Sequence, residues 1–200
     1  MEKTVDVECI LKQYEHLGIR NLSKEALADF VSKITITTLK RHDMFLKEGE
    51  VCEHFAFVKT GLLRMFHYKK GKEISTIFMP EGRYFFCIES FFNHEVSWRN
   101  VEALETSEIY LISHKDLEEL CFKYLDFYLF CQTLMARVVM GFQWKAEMLQ
   151  FATAEERLEI MLKQVPNLMQ RVSSVQVASY LGVTPETLSR VRGRLARRED

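Results

Sequence analysis

The sequence predicts an α+β fold from three observations. Short β-branched and aromatic runs fill residues 34 to 112, a proline-free apolar stretch runs from Tyr124 to Gln150, and two capped helical patterns meet at a single glycine near the carboxyl end. With 200 residues and 48% hydrophobic content, the chain has enough apolar side chain to pack one or two domains.

Val7, Ile10, Leu11, Tyr14 and Leu17 predict an amino-terminal helix that stops at Gly18, and a second helix follows Ser23 with Leu27, Phe30 and Val31 on one face. The period then changes to that of strands. ITITTL, FAFV, LLRMFHY, ISTIFM and IYLI are punctuated by Gly49, Gly61, Gly71 and Gly82, which favours a sandwich or small barrel. Ser113 with Asp116 marks another helix start, carrying Leu117 and Leu120.

In the long helix Leu125, Leu129, Leu134, Val138, Phe142 and Leu149 advance at near-heptad intervals. Phe127, Phe130, Met135, Val139, Trp144 and Met148 lie on its other sides, so it is expected to pack both on the strand-rich domain and on a second copy of the chain. A helix buried within one chain is the alternative. Thr153 and Glu156 form a capping box that restarts a helix after a hinge at Gln150-Phe151-Ala152. In that helix Leu158, Ile160 and Leu162 pack, Glu155, Glu156 and Glu159 are exposed, and Val165-Pro166 ends it.

SSVQVASYLGVTPETLSRVRGRLARR, Ser173 to Arg198, has the organisation of a helix-turn-helix. Ser173 or Ser174 caps a first helix with Val177, Ala178 and Leu181 inside, and Gly182 supplies the sharp turn at a positive φ. Thr184 caps the second helix, with Pro185 at a first position that needs no N–H. Val183, Leu188, Val191 and Leu195 turn inward, leaving Pro185, Glu186, Ser189, Arg190, Gly193 and Arg194 outward. Arg190 matches a bidentate contact to guanine, and Glu186 one turn earlier can accept from a cytosine amino group. Arg192, Arg194, Arg197 and Arg198 suit phosphates. Between Arg171 and Asp200 six arginines face three acids in a chain of net charge −1, so positive charge is gathered at this end.

VASYLGVTPETLSRVR, Val177 to Arg192, closely resembles the recognition unit of the Crp/Fnr transcription regulators, in which a glutamate and an arginine spaced as Glu186 and Arg190 read bases. Lys47 to Gly82 resembles the family's β-roll, including the Gly61-Leu-Leu-Arg64 and Gly71-Lys-Glu73 turns, and ATAEERL resembles its hinge. The resemblance implies a double-stranded β-helix, jelly-roll-like sensor over residues 1–112. A dimerisation helix region follows over 113–150, and a helix-turn-helix domain over 151–200, with a reduced or absent wing because the chain ends soon after the second helix. It implies a homodimer on double-stranded DNA carrying an inverted repeat, with RNA polymerase as a further partner. The expected DNA-binding residues are Ser173, Ser174, Thr184, Pro185, Glu186, Ser189, Arg190, Arg192 and Arg194.

Cyclic-nucleotide-binding members of that family carry a Gly-Glu pair for ribose and a later Arg-Ser pair for phosphate, and Phe85 to Ile109 has neither. The nearest equivalents are Glu89, Ser97, Arg99 and Asn100, with Phe142 and Gln143 at the level where the long helix meets the nucleotide, so cyclic AMP is not the expected effector. Phe85, Phe86, Phe91, Phe92 and Trp98 are expected in the core, with an apolar or aromatic pocket as the alternative. No cofactor or metal is expected: only Cys9 lies near the amino terminus where iron–sulfur members cluster cysteines, and the histidines, His67 among them, have no ligand spacing.

Five cysteines without a Cys-x-x-Cys pair are expected to be reduced and mostly buried. MEKTVDVECI lacks a signal-peptide core, and no uninterrupted apolar run approaches the roughly 20 residues that span a bilayer, so a cytoplasmic protein with no membrane partner is expected. The competing function is a small-molecule sensor whose helical tail binds a protein. An enzyme is not expected, since the chain has no phosphate-cradling glycine loop, nucleophile elbow or metal-hydrolase spacing.

Overall fold

The computed structural model describes residues 5, 6, 8, 10 and 22–199, omitting the side chains of 196, 198 and 199. Of the amino-terminal helix expected from Val7, Ile10, Leu11, Tyr14 and Leu17, Ile10 is described, helical and buried, and the other four lie outside the described residues, as do Cys9 and the Arg198 side chain. Ser23 caps α1 (Lys24–Ser32), accepting from the Ala26 amide at 3.3 Å.

Eight strands follow: β1 (Thr35–Leu39), β2 (Met44–Leu46), β3 (His54–Thr60), β4 (Leu63–Lys69), β5 (Lys72–Met79), β6 (Tyr84–Phe85), β7 (Asn100–Ala103) and β8 (Ser107–Ser113). They form two antiparallel four-stranded sheets, ordered β1-β8-β3-β6 and β2-β7-β4-β5, the arrangement of a jelly-roll-like β-roll. The two-residue period decides what each face meets. Ala56 and Val58 of β3 join Leu63, Met65, Val101 and Ile109 inside the roll, whereas Phe57 turns to the helical side with Tyr110, Ile112, Phe127 and Phe130.

Gly61 closes the turn before β4 at φ +96°, and a Cβ there would lie 2.7 Å from Ser107 Cα. Three residues on, Arg64 is 2% exposed on the outer face of the second sheet. Its Nε donates to Glu102 at 2.7 Å, Nη2 to Glu73 at 2.6 Å and Nη1 to Ser75 at 3.3 Å, so the buried cation is compensated from both neighbouring strands.

The helical part comprises α2 (Ile88–Asn93), α3 (His114–Lys123), α4 (Leu125–Phe151), α5 (Ala154–Gln164), α6 (Leu168–Arg171), α7 (Ser174–Leu181) and α8 (Pro185–Glu199). Ser113 caps α3 through the Asp116 amide at 3.0 Å. On α4, Phe127, Phe130, Leu134 and Met148 are buried, while Leu125, Leu129, Val139 and Met140 stay exposed. Among the described residues α4 is the one helix long and apolar enough to cross a membrane by length and composition. Arg137, Lys145 and Glu147 interrupt its apolar run.

The carboxyl-terminal helices share one core, built on Leu158, Met161, Leu168, Val177, Leu181, Leu188 and Val191. Leu62 and Leu104 of the β-roll complete it. Cys52 and Cys87 are buried free thiols, and Cys121 and Cys131 are partly buried.

Three expectations need correction. Phe92 and Trp98 are about half exposed, because α2 turns Phe91 inward and its neighbour outward, while Trp98 sits in the loop before β7. Of the three glutamates expected to be exposed on α5 only Glu156 is: Glu159 is half-buried, and Glu155 packs at the α5–α8 junction with its carboxylate 4.0 Å from Arg194. In α5 the residue that buries fully beside Leu158 is Met161, and Ile160 and Leu162 are half-buried.

Gly61→Ala is expected to destabilise the protein by about 1–3 kcal/mol through its positive φ alone, with the Ser107 clash added. A urea unfolding midpoint unchanged from wild type would contradict this reading of the turn.

Candidate nucleic-acid interface

The helix-turn-helix is set by local capping. Ser173 accepts from the Gln176 amide at 3.3 Å while the Gln176 side chain accepts from the Ser173 amide at 3.2 Å, a reciprocal cap that fixes the start of α7. Gly182 adopts φ +69° and ψ 32°, and the Val183 amide returns to the Ala178 carbonyl at 3.0 Å. Thr184 accepts from the Thr187 amide at 3.2 Å, and Pro185 opens α8.

A residue the sequence reading passed over fixes this turn to the hinge. Arg157 of α5 donates from Nε to the Ala152 carbonyl at 3.0 Å and from Nη1 to the Leu181 carbonyl at 2.8 Å. One guanidinium therefore satisfies a carbonyl at the end of α4 and another at the end of α7. The only sequence signal was an arginine inside the hinge motif.

Three further contacts hold the unit to the β-roll. Arg171 forks between Glu81 and Glu105, with Nη2 at 2.8 Å and 2.6 Å from their carboxylates. On α7, Ser179 accepts from the Ser75 amide of β5 at 3.1 Å, and Tyr180 packs on Phe78 with ring centroids 5.2 Å apart. Sheet β2-β7-β4-β5 is thus covered by the first helix of the helix-turn-helix, and the second helix points away.

That second helix buries Leu188 and Val191, with Val183 and Leu195 packed at the edge of the same core. Pro185, Glu186, Ser189, Arg190, Arg192 and Arg194 are all exposed, as are Ser173, Ser174 and Thr184 around the turn. Among the described residues no ion pair joins Glu186 to Arg190. Arg190 instead touches the Thr187 hydroxyl at 3.4 Å, and a hydrogen bond with Thr184 holds the Glu186 carboxyl below its ordinary value. Both side chains stay exposed on the outer face of α8. All strands among the described residues precede α3, so no strand flanks the recognition helix.

The candidate effector residues separate into two groups. Glu89 and Arg99 form an ion pair at 3.4 Å, with the Arg99 guanidinium 4.4 Å from the centroid of the Trp98 ring. Ser97 is buried, closing its own turn on Arg99, and Asn100 accepts from the Glu48 amide at 3.0 Å. His67 stacks edge-on against Trp98, and burial followed by the Arg99 charge holds its pKa below the ordinary value. His67 Nδ1, Arg99 Nε and Asn100 Nδ2 are buried here without hydrogen-bond partners. Phe142 lines a different cleft, and Gln143 bonds to Glu147 at 3.1 Å on the open face of α4.

The roll interior is filled by Met65, Met79, Phe85, Phe86 and Phe91, while Arg64 and Arg99 are each paired with carboxylates. A separate apolar cavity of about 750 Å³ lies between α1, α2, α3, α4 and the outer face of the first sheet, lined by Phe30, Phe55, Phe91, Phe122 and Phe130.

Lys145 of α4 is a cation without a carboxylate. It donates to the Thr76 carbonyl and lies 4.4 Å from the centroid of the Tyr180 ring, joining α4, β5 and α7. Burial, and after it the Arg99 charge, lowers its pKa from 10.5 to about 8. The charged and titratable groups around it are Arg99, Arg83, Arg137, Tyr84 and Tyr180, none of them acidic at neutral pH. Below pH 8 both folded and unfolded states hold the proton, and the full penalty of the buried charge is present. Between pH 8 and 10.5 the unfolded state binds more protons, so this group makes stability rise with pH. Lys145→Met is expected to raise stability at pH 7 and to remove that rise. Urea midpoints measured from pH 7 to 10 check this, and a variant with the wild-type slope contradicts it.

Residues 36–124 match the cyclic nucleotide-binding domain. Among solved structures the chain is similar to FixK2 from Bradyrhizobium japonicum, at 20% identity over 83% of this chain and 86% of that one, with a TM-score of 0.72. It is also similar to the catabolite activator protein of Thermus thermophilus, at 20% identity over 90% and 86% of the two chains and a TM-score of 0.55. A protein from Eubacterium rectale, described as a transcriptional regulator of the Crp/Fnr family, is 16% identical over 85% and 82%, with a TM-score of 0.64. No curated relative matches the chain. At these identities the likeness is one of fold, and it extends across both the β-roll and the helical unit. The chain therefore carries a cyclic nucleotide-binding-type domain and has the fold of the Crp/Fnr regulators.

Proposed function

We propose that this chain is a sequence-specific DNA-binding homodimer that regulates transcription. Residues 1–112 act as its sensor, 113–150 as its dimerisation region and 151–200 as its DNA-reading domain. The observation that carries the reading is α8, whose inner face is fixed by Leu188 and Val191 while Glu186, Ser189 and Arg190 stand exposed and unpaired with one another. Arg190 supplies the guanine donor pair, Glu186 an acceptor, and Arg192, Arg194 and Arg197 phosphate contacts. The fold of FixK2 and of the catabolite activator protein supports the same role.

The dimer follows from α4. Opposite its sensor-facing side it presents Leu125, Leu129, Val139 and Met140, with Gln132, Gln143 and Gln150 between them, an apolar stripe that a second copy would cover. Two recognition helices related by a two-fold axis require half-sites separated by about 34 Å or a multiple, hence an inverted repeat. A DNA partner goes with a cytoplasmic location, and transcription control with RNA polymerase as a further partner. Cyclic AMP is not the effector in this reading, and no enzymatic step is involved.

Arg190→Ala is expected to weaken the specific complex by about 1–3 kcal/mol and relax base choice at one position in each arm, whereas Arg192→Ala lowers affinity alike on all sequences and reduces the salt slope by about one. Fluorescence anisotropy on cognate and scrambled duplexes separates the two. Equal affinity of wild type and Arg190→Ala for the cognate duplex would transfer α8 to a protein partner. Leu129→Lys is expected to convert the dimer to monomer in sedimentation equilibrium, and a variant that stays dimeric removes α4 from the interface.

A further inference from the structure

A second cleft, of about 280 Å³, opens where the β-roll, α4 and the carboxyl-terminal helices meet. Its walls come from all three. Phe78, Arg83 and Tyr84 belong to the β-roll, Arg137, Trp144 and Lys145 to α4, and Gln164, Leu168 and Tyr180 to the helical unit. Two of these side chains, Arg83 and Lys145, are cations with no ion pair to a carboxylate among the described residues, and the described lining residues include no aspartate or glutamate. The aromatic rings of Phe78, Tyr84, Trp144 and Tyr180 supply flat apolar walls beside them.

Such a lining is unbalanced. By contrast, Arg64 has Glu73 and Glu102, and Arg171 has Glu81 and Glu105. Among the described residues Lys145 has the Thr76 carbonyl and the Tyr180 ring for its three N–H donors, and no carboxylate. The Arg83 charge acts on both Tyr84 and Tyr180, which places it along the same wall. A bound anion would provide the missing counter-charge in a partly dehydrated site, where it is worth most.

We propose that this interdomain cleft binds a small organic anion bearing an aromatic ring, its charged group between Lys145 and Arg83 and its ring among Tyr84, Trp144 and Tyr180. The site is separate from the roll interior and from the apolar cavity beneath α3. The volume lies at the small end of ligand pockets, which selects a one- or two-ring compound. Because three structural units contribute walls, occupancy stabilises the arrangement in which they are docked. Its consequence for DNA affinity rests on the function proposed above, but binding itself does not.

The test uses the full chain without DNA. With Trp98→Phe as background, Trp144 fluorescence and calorimetry are followed during titration with 1-naphthyl phosphate and, separately, with neutral 1-naphthol. The expected result is saturable binding of one naphthyl phosphate per chain, at least tenfold tighter than naphthol, and weakened at least tenfold by Lys145→Met and by Arg83→Gln. Arg83 is exposed, so its substitution leaves the fold intact as a check on the buried site. Equal affinity for naphthol, no saturable binding, or affinities unmoved by both substitutions would each overturn the proposal. Since DNA is absent, none of these outcomes bears on the DNA-reading assignment.

Discussion

The carboxyl-terminal helices do not close a core of their own. Leu62 and Leu104 of the β-roll enter the cluster built by Leu158, Met161, Leu181 and Leu188, and β5 lies directly against α7. Everything about the orientation of α8 depends on this shared core, because burying apolar surface is the dominant favourable contribution and here it is available only in the docked arrangement. The polar contacts then choose one geometry among those that would bury similar area. Arg171 must reach two carboxylates from separate loops, and the Ser179 hydroxyl must meet one particular amide of β5. Since Glu81 and Glu105 are partly exposed, the fork contributes direction more than stability.

This docking leaves the two helices of the helix-turn-helix with different tasks. α7 packs on the β-roll through Ser179 and Tyr180, whereas α8 keeps an exposed outer face. Arg157 couples that division to the hinge, since the same guanidinium holds the Ala152 carbonyl at the end of α4 and the Leu181 carbonyl next to the recognition turn. α4 in turn has one face on the β-roll and one apolar face open.

Much of the helical part was legible in the sequence because caps are local. Ser23, Ser113, Thr153, Ser173 and Thr184 each accept from the amide expected of them, and Gly182 has the left-handed conformation its position required. The longer strands were legible through β-branched runs, but β2, β6 and β7 have three, two and four residues, too few to display a period. The recognition face was readable for the same reason as the caps, since helical spacing alone separates Leu188 and Val191 from Glu186 and Arg190. What holds the face in place was not readable. Arg64 with Glu102, Arg171 with Glu81, and Lys145 with Tyr180 join residues far apart in the chain, and nothing local distinguishes these cations from solvated ones. The exposed Phe92 and Trp98 show the complementary limit, where aromatic identity argued for burial and position decided otherwise.

Enrichment of random duplex DNA by purified, ligand-free protein at near-physiological salt, followed by sequencing, tests the central claim most directly, because salt at that level suppresses binding that depends on charge alone. The expected result is an enriched inverted repeat whose arms match and whose half-site centres lie about one helical turn, or a multiple of it, apart. Sequences enriched without a two-armed pattern, or no enrichment, would contradict a dimer that reads DNA through the exposed face of α8.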